Sequence, residues 1–360
     1  MRAAVLLQTG NEKLEVRDDV VAHGPGPGEV RVRIKATGVC HSDLSAMQGI
    51  LPQPAPFVAG HEGAGEVVDV GDGVAGVQVG DRVVICWVPP CDACRFCRSG
   101  QPNLCVNIFF TASVTQRFEF GGVPAYGFAG TGTFAEELVV PYQCAVKVAD
   151  DIPYELAALI GCGVTTGVGA VFNNARLQPG SSVAVIGCGG VGISVIQGAR
   201  IAGAAEIVAV DPVERKREWA QRFGASHAVA PDELAAAKQE LTGGDGFDYV
   251  FEVVGRSSTV RQAYDATRRG GTVVVVGAGA ADDTVAFNMF ELFFDEKRLL
   301  STIYGGGDVR RDYDRLIRLW RSGRLDLEGM ITAKVSLDDV NEALDTMRAG
   351  DAIRTVITFD

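Results

Sequence analysis

The 360-residue sequence predicts an α/β protein in two parts, a mostly-β domain and a doubly wound parallel sheet. Three observations predict it. Residues 1 to about 160 carry short apolar–polar alternations broken by Gly and Pro. Near residue 164 the pattern changes to continuous apolar runs that alternate with helical periods. A glycine turn, IGCGGVG, joins the first of those runs to the first of those helices. Alternation at period two marks strands with one wet face, whereas unbroken β-branched runs belong to strands covered on both faces.

In the first part EVRVRIKATGV (29–39), GAGEVVDVG (63–71) and GDRVVIC (80–86) read as half-buried strands of an antiparallel barrel or sandwich, with no long helical period among them. In the second, SSVAVIG (181–187) leads through the glycine turn into a helix at VGISVIQGARIAG (191–203). EIVAV (206–210), a helix with ERKREWAQRFG (214–224), FDYVFEVVG (247–255), a helix near 258–268 and GTVVVVG (271–277) follow. Such strand–helix alternation builds parallel sheets. After about residue 305, DYDRLIRLWRSGRL and LDDVNEALDTMRAG read as amphipathic helices and IRTVITF as a closing strand.

Lys and Arg number 33 against 45 Asp and Glu, a net charge of -12. An acidic chain without a basic tract has no electrostatic footprint for phosphate backbones, so nucleic acid is not an expected partner. The N-terminal apolar stretch is too short for a signal peptide, and no segment reads as approaching the ~18–20 apolar residues of a membrane span. Nine cysteines without an extracellular cue imply reduced thiols. The expectation is a cytoplasmic protein with no membrane partner.

Four of the nine cysteines fall within 15 residues, CDACRFCRSGQPNLC, as Cys91, Cys94, Cys97 and Cys105. Thiolates this close can close a tetrahedral sulfur shell around a structural Zn2+. Their rivals are unrelated free cysteines, disulfides, or a zinc ribbon for nucleic acid; the crowding, the missing signal peptide and the acidic charge count against these in turn.

Gly187, Gly189 and Gly192 form Gly-x-Gly-x-x-Gly between a predicted strand and a predicted helix, with Gly190 and Val191 inside the motif. The first glycine permits a tight turn, the second lets backbone approach a pyrophosphate, and the third packs helix on strand. Asp211 ends the next strand 19 residues past Gly192, where a carboxylate accepts from a ribose 2′-hydroxyl and repels a 2′-phosphate, favouring NAD over NADP. Its bland alternative is an N-cap before Pro212. Lys216 reads either as a second ribose contact or as a solvated helix lysine.

Cys40, His61 and Cys162 are three soft or borderline ligands spread through GVCHSDL, GHEGAGEVVDVG and LIGCGVTTG. Three protein ligands with one open position suit a catalytic zinc, although spacing alone does not bring them together. Asp43 and Glu62 adjoin them, where carboxylates orient an imidazole or tune a metal.

Taken together, Cys40-His41-Ser42-Asp43, Gly60-His61-Glu62, the four-cysteine lobe, Gly161-Cys162-Gly163, the glycine turn and Ala352-Ile353-Arg354-Thr355 follow the order and spacing of zinc-dependent medium-chain alcohol dehydrogenases. The sequence resembles that family over nearly its whole length. The resemblance implies a GroES-like catalytic domain from 1–163 and 305–360, a structural-zinc lobe at about 86–106 and a Rossmann domain at 164–304. It implies two Zn2+ per subunit, NAD, and catalytic-zinc ligation by Cys40, His61 and Cys162. Ser42 then bonds the alcohol oxygen and begins proton export, while His41 and Arg354 meet the pyrophosphate. Many relatives end that relay in a histidine where this chain has Ser45, so the expectation is either proton release through water or catalysis that depends less steeply on a group titrating near neutrality.

The resemblance also places Leu51, Trp87, Phe110, Phe128 and Ala129 around the substrate, an apolar wall suited to primary alcohols, aromatic or allylic ones included. The glutathione-dependent formaldehyde dehydrogenase branch carries charge at the positions of Leu51 and Phe109, so that activity is not expected. The stretch from Cys105 to Gly130 resembles that of dimeric members, implying a homodimer. Two other readings remain: a nicotinoprotein dehydrogenase that keeps NAD(H) bound, which GCGVTTGVGA, DPVERKREWA and TIYGGGD also resemble, and a non-catalytic NAD- and zinc-binding scaffold, which has no need of the Cys40, His61, Cys162 and Ser42 set.

Overall fold

Strand Glu29–Gly38 buries Val30, Val32, Ile34 and Ala36 and turns Arg31, Arg33 and Lys35 outward, as its alternation predicts. It is the hub of a seven-stranded sheet in the computed structural model, which describes residues 1–359. Glu62–Val70, Glu137–Pro141 and Arg354–Thr358 all pair antiparallel with it. Arg31 and Arg33 both reach the Glu137 carboxylate across the ladder, at 3.3 and 3.1 Å. A smaller six-stranded sheet, built from the N-terminal strands and residues 57–58, 118–120 and 123–127, completes this β-rich unit. The seven-stranded sheet takes Arg354–Thr358 from the end of the chain, beside Glu29–Gly38 from its first forty residues.

The second unit is a six-stranded, all-parallel sheet. Its order is His227–Val229, Glu206–Val210, Ser182–Ile186, Phe247–Glu252, Thr267–Val275 and Arg298–Ser301. The first of these strands in sequence, Ser182–Ile186, lies between Glu206–Val210 and Phe247–Glu252, so the connections diverge on either side of its carboxyl end. A crevice at such a switch point is where doubly wound sheets take their ligands. The edge strands His227–Val229 and Arg298–Ser301 were not predicted, because three half-buried residues and the mostly exposed RLLS carry no continuous apolar run. The helix predicted near 258–268 ends at Ala266, and Thr267 already opens the next strand.

The units comprise Met1–Cys162, Gly307–Arg318 and the chain from Leu327 onward in one, and Gly163–Gly306 with Leu319–Asp326 in the other. The sequence division placed all of 305–360 with the first; in the structure Leu319–Asp326 groups with the second. Buried Gln197 explains the attachment, since its side-chain amide donates to the Asp326 carbonyl at 3.1 Å and accepts from the Asp326 N–H at 2.8 Å.

One expectation is corrected. The continuous helical stretch Tyr154–Ala175, 22 residues, is long and apolar enough to cross a membrane, contrary to the reading that no segment approaches that length. Most of it is buried inside the protein, which accounts for its composition. Wide π-helical turns at Ile160–Val164 and Ala170–Ala175 interrupt it.

Replacing Gln197 with Ala removes both hydrogen bonds to the Asp326 backbone. Because an intramolecular hydrogen bond contributes about 0.5–1.5 kcal/mol net, losing the two is expected to lower stability by about 1–3 kcal/mol in urea denaturation. A midpoint equal to wild type would show that Leu319–Asp326 does not depend on this side chain.

Candidate active site

The pairing of Gly38 with Glu62 brings two chain segments to one sheet end. Past Gly38 the chain leaves the strand and starts helix His41–Met47, with Cys40 as its N-cap. Asp43, fully buried, binds back to the Cys40 N–H at 3.0 Å and accepts from the Gly60 N–H at 3.1 Å. The same carboxylate lies 3.2 Å from His61 Nδ1. Asp43 thus fixes the imidazole with Nδ1–H donating, which leaves Nε2 as the lone-pair nitrogen. That Nε2 is buried and has no hydrogen-bond partner.

The orphan nitrogen belongs to a cluster. Single ligand atoms of Cys40, His61, Glu62 and Cys162 all lie within 4.8 Å of one another. The wide turn Ile160–Val164 carries Cys162 there. Two thiols, one oriented imidazole and a nearby carboxylate form a donor set that fits zinc. Gly38 makes room for the carboxylate, because a Cβ there would sit 2.2 Å from Glu62 Oε2.

Burial dominates the electrostatics. It pushes the Asp43 carboxyl up and carries Glu62 to about 7, with the Arg354 guanidinium opposing the rise. Desolvation works against a charged His61, but Asp43 more than offsets it and holds the imidazole well above its ordinary range. The two thiols share a proton: a hydrogen bond from Cys162 holds Cys40 well below the usual thiol range, while Cys162 is raised. Both would be thiolates toward a metal, as zinc ligation requires.

Ser42 lies close by, its Oγ 3.8 Å from Cys40 Sγ. His41 is exposed at the first turn of the same helix. Arg354, expected at the pyrophosphate, is almost wholly buried; Nη2 lies 3.2 Å from Glu62 Oε1, and Nη1 donates to the Val39 carbonyl at 3.3 Å.

An aromatic wall surrounds His61. Phe128 meets it edge-on at 5.2 Å between ring centroids and Trp87 at 6.2 Å. Phe109 packs on Trp87 at 5.9 Å, and Phe110 on Phe109 at 5.6 Å. Phe110, proposed for the substrate wall, is 59% exposed and reaches that wall through Phe109. Leu51 and Ala129 pack in the same apolar cluster. Gln53 carried no sequence signal in LPQPAP, yet it is buried and its carbonyl accepts from the Ala129 N–H at 3.2 Å. Ala129 has a positive φ of 51°, so Gln53 helps to hold an unfavourable backbone beside Phe128.

The four-cysteine lobe is a second, separate donor set. Ligand atoms of Cys91, Cys94, Cys97 and Cys105 also lie within 4.8 Å of one another. Backbone N–H groups aim at the sulfurs: Cys94 to Cys91 at 3.3 Å, Cys97 to Cys94 at 3.5 Å and Cys91 to Cys105 at 3.4 Å. Burial raises the Cys91 thiol, but the N–H groups of Ala93 and Cys94 outweigh it and bring it down to about 6. Arg310 grips Asp92 of the lobe bidentately, at 2.9 Å to each oxygen.

In the second unit the glycine turn is built as its sequence requires. Gly187 has φ +97°, and a Cβ on Gly192 would lie 1.9 Å from the Gly187 carbonyl oxygen. Helix Gly190–Ala202 starts immediately after, capped by Gly189. Val191 occupies its first turn, leaving the helix N-terminus facing the end of strand Ser182–Ile186. Asp211 accepts from the Cys188 N–H and from the Val213 N–H, both at 2.9 Å. The N-cap alternative for Asp211 does not hold, because the following helix runs Glu214–Arg222 with Val213 as its cap. Lys216 is half-buried in the first turn of that helix.

Residues 190–322 match the zinc-binding dehydrogenase family, and residues 26–150 match the alcohol dehydrogenase GroES-like domain. The chain is 38% identical to an S-(hydroxymethyl)glutathione dehydrogenase of Paracoccus denitrificans, over 99% of each chain. The chain belongs to the zinc-dependent medium-chain alcohol dehydrogenases. An alcohol dehydrogenase class-3 of Cereibacter sphaeroides is also 38% identical over 99% of both chains. Among solved structures, the benzyl alcohol dehydrogenase of Acinetobacter calcoaceticus superposes with a TM-score of 0.92 at 31% identity, covering 100% of this chain and 99% of its own. The protein is accordingly an oxidoreductase that uses zinc and NAD and joins a GroES-like to a Rossmann fold. The non-catalytic scaffold reading falls with this membership and with the intact donor set.

Two metal measurements follow for this dehydrogenase. Wild type is expected to bind two zinc ions per chain by elemental analysis. Cys97→Ala and Cys162→Ala should each bind one, with stability suffering more in the first because structural zinc contributes directly to folding. Two ions retained in both variants would dissolve the two-site assignment. In the other unit, Gly192→Ala should weaken NADH at least about tenfold in a fluorescence titration, since its Cβ must push the turn apart at the pyrophosphate position. Unchanged affinity would place the dinucleotide elsewhere.

Proposed function

We propose that this dehydrogenase interconverts hydrophobic primary alcohols, aromatic or allylic ones included, and their aldehydes with NAD. The observation that carries this reading is the aromatic wall edge-on to His61, formed by Phe128 and Trp87 and extended by Phe109. A neutral ring fits such a wall. The name of the Acinetobacter neighbour, benzyl alcohol dehydrogenase, supports the same substrate class. The curated relatives named for S-(hydroxymethyl)glutathione point elsewhere, but Leu51 and Phe109 offer no charge to a glutathione carboxylate.

Cys40, His61 and Cys162 would hold the catalytic zinc, and Cys91, Cys94, Cys97 and Cys105 the structural one. Bound at the first site, zinc supplies a Lewis acid that brings an alcohol's pKa towards neutrality, and NAD supplies the hydride acceptor. Asp43 keeps the His61 lone pair on Nε2. Ser42 accepts the substrate's hydroxyl proton in a hydrogen bond and hands it towards water, Ser45 standing where a relay histidine would be. Glu62 and Arg354 neutralise one another beside the ligands. Gly187, Gly189, Gly190, Val191, Gly192, Asp211 and Lys216 would hold the adenosine half and pyrophosphate of NAD.

A second reading, a nicotinoprotein with NAD(H) permanently bound, rests on the likeness of GCGVTTGVGA, DPVERKREWA and TIYGGGD to that subgroup. A cytoplasmic setting accords with nine cysteines that form no disulfide among the described residues. The homodimer reading gains support from helix Met289–Asp295, where Met289, Phe290 and Phe293 are exposed, the last at 80%. Beside it lies edge strand Arg298–Ser301, whose outer side pairs with no strand among the described residues. A second copy could cover both by pairing the same strand antiparallel about a two-fold axis.

After gel filtration, NADH formation with ethanol, hexanol and benzyl alcohol is expected to need added NAD and to favour benzyl alcohol. One stoichiometric turnover without added NAD would move the assignment to the nicotinoprotein. Faster turnover of formaldehyde with glutathione than of any alcohol would overturn the substrate class. Phe128→Ala should raise KM for benzyl alcohol roughly 2–10-fold relative to ethanol, the scale of an aromatic edge contact. Light scattering should give a dimer mass for wild type and a monomer for Phe293→Asp; a monomeric wild type removes the dimer.

A further inference from the structure

Glu252 ends the strand Phe247–Glu252, adjacent in register to Ile186, the last residue before the glycine turn. It is fully buried, and its carboxylate is used on one side only. Oε1 accepts from the Val254 N–H at 2.9 Å, the Gly255 N–H at 2.8 Å and the Thr259 hydroxyl at 2.6 Å. Oε2 is buried without a hydrogen-bond partner. A carboxylate in the core is costly, and the sequence keeps one here instead of an amide or an apolar residue.

What it holds is the rim of the switch-point crevice. Its three donors fix the turn Val253–Gly255. Val254 leans on the glycine turn so closely that a Cβ on Gly187 would lie 2.9 Å from Val254 Cγ2. The backbone of Glu252 does the same for the next connection, its carbonyl accepting from the Val276 N–H at 2.7 Å and the Gly277 N–H at 3.1 Å. A Cβ on Gly277 would lie 2.1 Å from the Gly255 nitrogen, so this loop rests directly on the turn that Glu252 folds. The Val253 N–H in turn donates to the Ile186 carbonyl at 2.8 Å. Three neighbouring strand ends are joined through Glu252 and the adjoining Val253.

We propose that Glu252 is a positioning residue for the dinucleotide: by concentrating three donors on Oε1 it sets the Val253–Gly255 turn against Gly187 and so pre-forms the crevice that receives NAD. This rests on the reading of the Gly187–Gly192 turn as the NAD site. Because the rim is shaped in advance, its ordering cost is absent when cofactor binds. Glutamine keeps a carbonyl acceptor in the same place, whereas alanine leaves two backbone N–H groups and a hydroxyl without one.

The test measures NADH affinity by fluorescence titration and amide exchange of Val254 and Gly255 in the cofactor-free protein. Glu252→Ala should weaken NADH by about tenfold or more and speed exchange at those two amides above that of the strand interior. KM for NAD should rise more than KM for the alcohol, and Glu252→Gln should return NADH affinity to within about threefold of wild type. Thr259→Val removes one donor from outside the core and keeps the test open if Glu252→Ala fails to fold; it should weaken NADH by roughly 2–5-fold. Glu252→Ala or Thr259→Val binding NADH as wild type does would overturn the proposal. So would exchange accelerated uniformly through the unit with both KM values rising together, which is what mere loss of stability produces. Failure of wild type itself to bind NADH would overturn the dinucleotide reading beneath it.

Discussion

The register of one strand pair governs the catalytic half of this protein. Glu29–Gly38 pairs with Glu62–Val70 so that Gly38 faces Glu62, and with Arg354–Thr358 so that Gly38 also faces Val356. The two ladders bring Cys40, His61 and Arg354, more than 300 residues apart at the extremes, to one sheet end. A slip of one residue would turn every side chain on a strand to the other face. The alternation of Val30, Val32, Ile34 and Ala36 with Arg31, Arg33 and Lys35 makes such a slip prohibitive, because it would bury three cations. Hydrophobic patterning in the strand thus secures the geometry of ligands that lie outside it.

Within that frame Asp43 joins local to long-range order. It caps its own helix through Cys40, anchors Gly60 and orients His61, so one buried carboxylate ties two ligands together. The second unit uses the same device twice. Asp211 gathers the Cys188 and Val213 N–H groups, and Glu252 gathers those of Val254 and Gly255. In all three places a carboxylate at a strand or helix end satisfies backbone donors that a sharp turn leaves unpaired, which is where such groups would otherwise be exposed to loss of solvation.

The parts of this architecture that were legible in the sequence are those that obey local rules. The central strands of the parallel sheet announce themselves as apolar runs, and Gly187, Gly189 and Gly192 by their spacing. The cysteine lobe is legible because all four ligands are local. The edge strands His227–Val229 and Arg298–Ser301 are not, since an edge needs no two-sided apolar run. The catalytic set stands between these cases: family likeness proposed Cys40, His61 and Cys162, but only tertiary contact places their ligand atoms within 4.8 Å. Gln53 and Phe109 gain their roles from where the Ala129 backbone and the Trp87 ring lie, and neither position is written in the residues beside them. Burial also accounts for Tyr154–Ala175, since a helix mostly inside the protein needs no wide polar face.

The two donor sets also differ in how their charge can be borne, and burial decides the difference. Four thiolates around a zinc ion leave two surplus negative charges. The lobe spreads these over backbone N–H donors and over Asn107, whose amide reaches Cys91 Sγ at 3.6 Å, while Cys91, Cys94 and Cys97 keep partial contact with water. Around Cys40 and Cys162, both buried, water gives no such relief. There a neutral imidazole replaces the other two sulfurs, so the metal's two charges and the two thiolates cancel. Glu62 would upset that balance if it stood alone in the interior; instead Arg354 pairs with it at 3.2 Å, and burial draws its carboxyl to about 7. A site that must stay dry enough for hydride chemistry is therefore assembled from groups whose charges sum close to zero, while the set that only cross-links the fold can remain anionic at the surface.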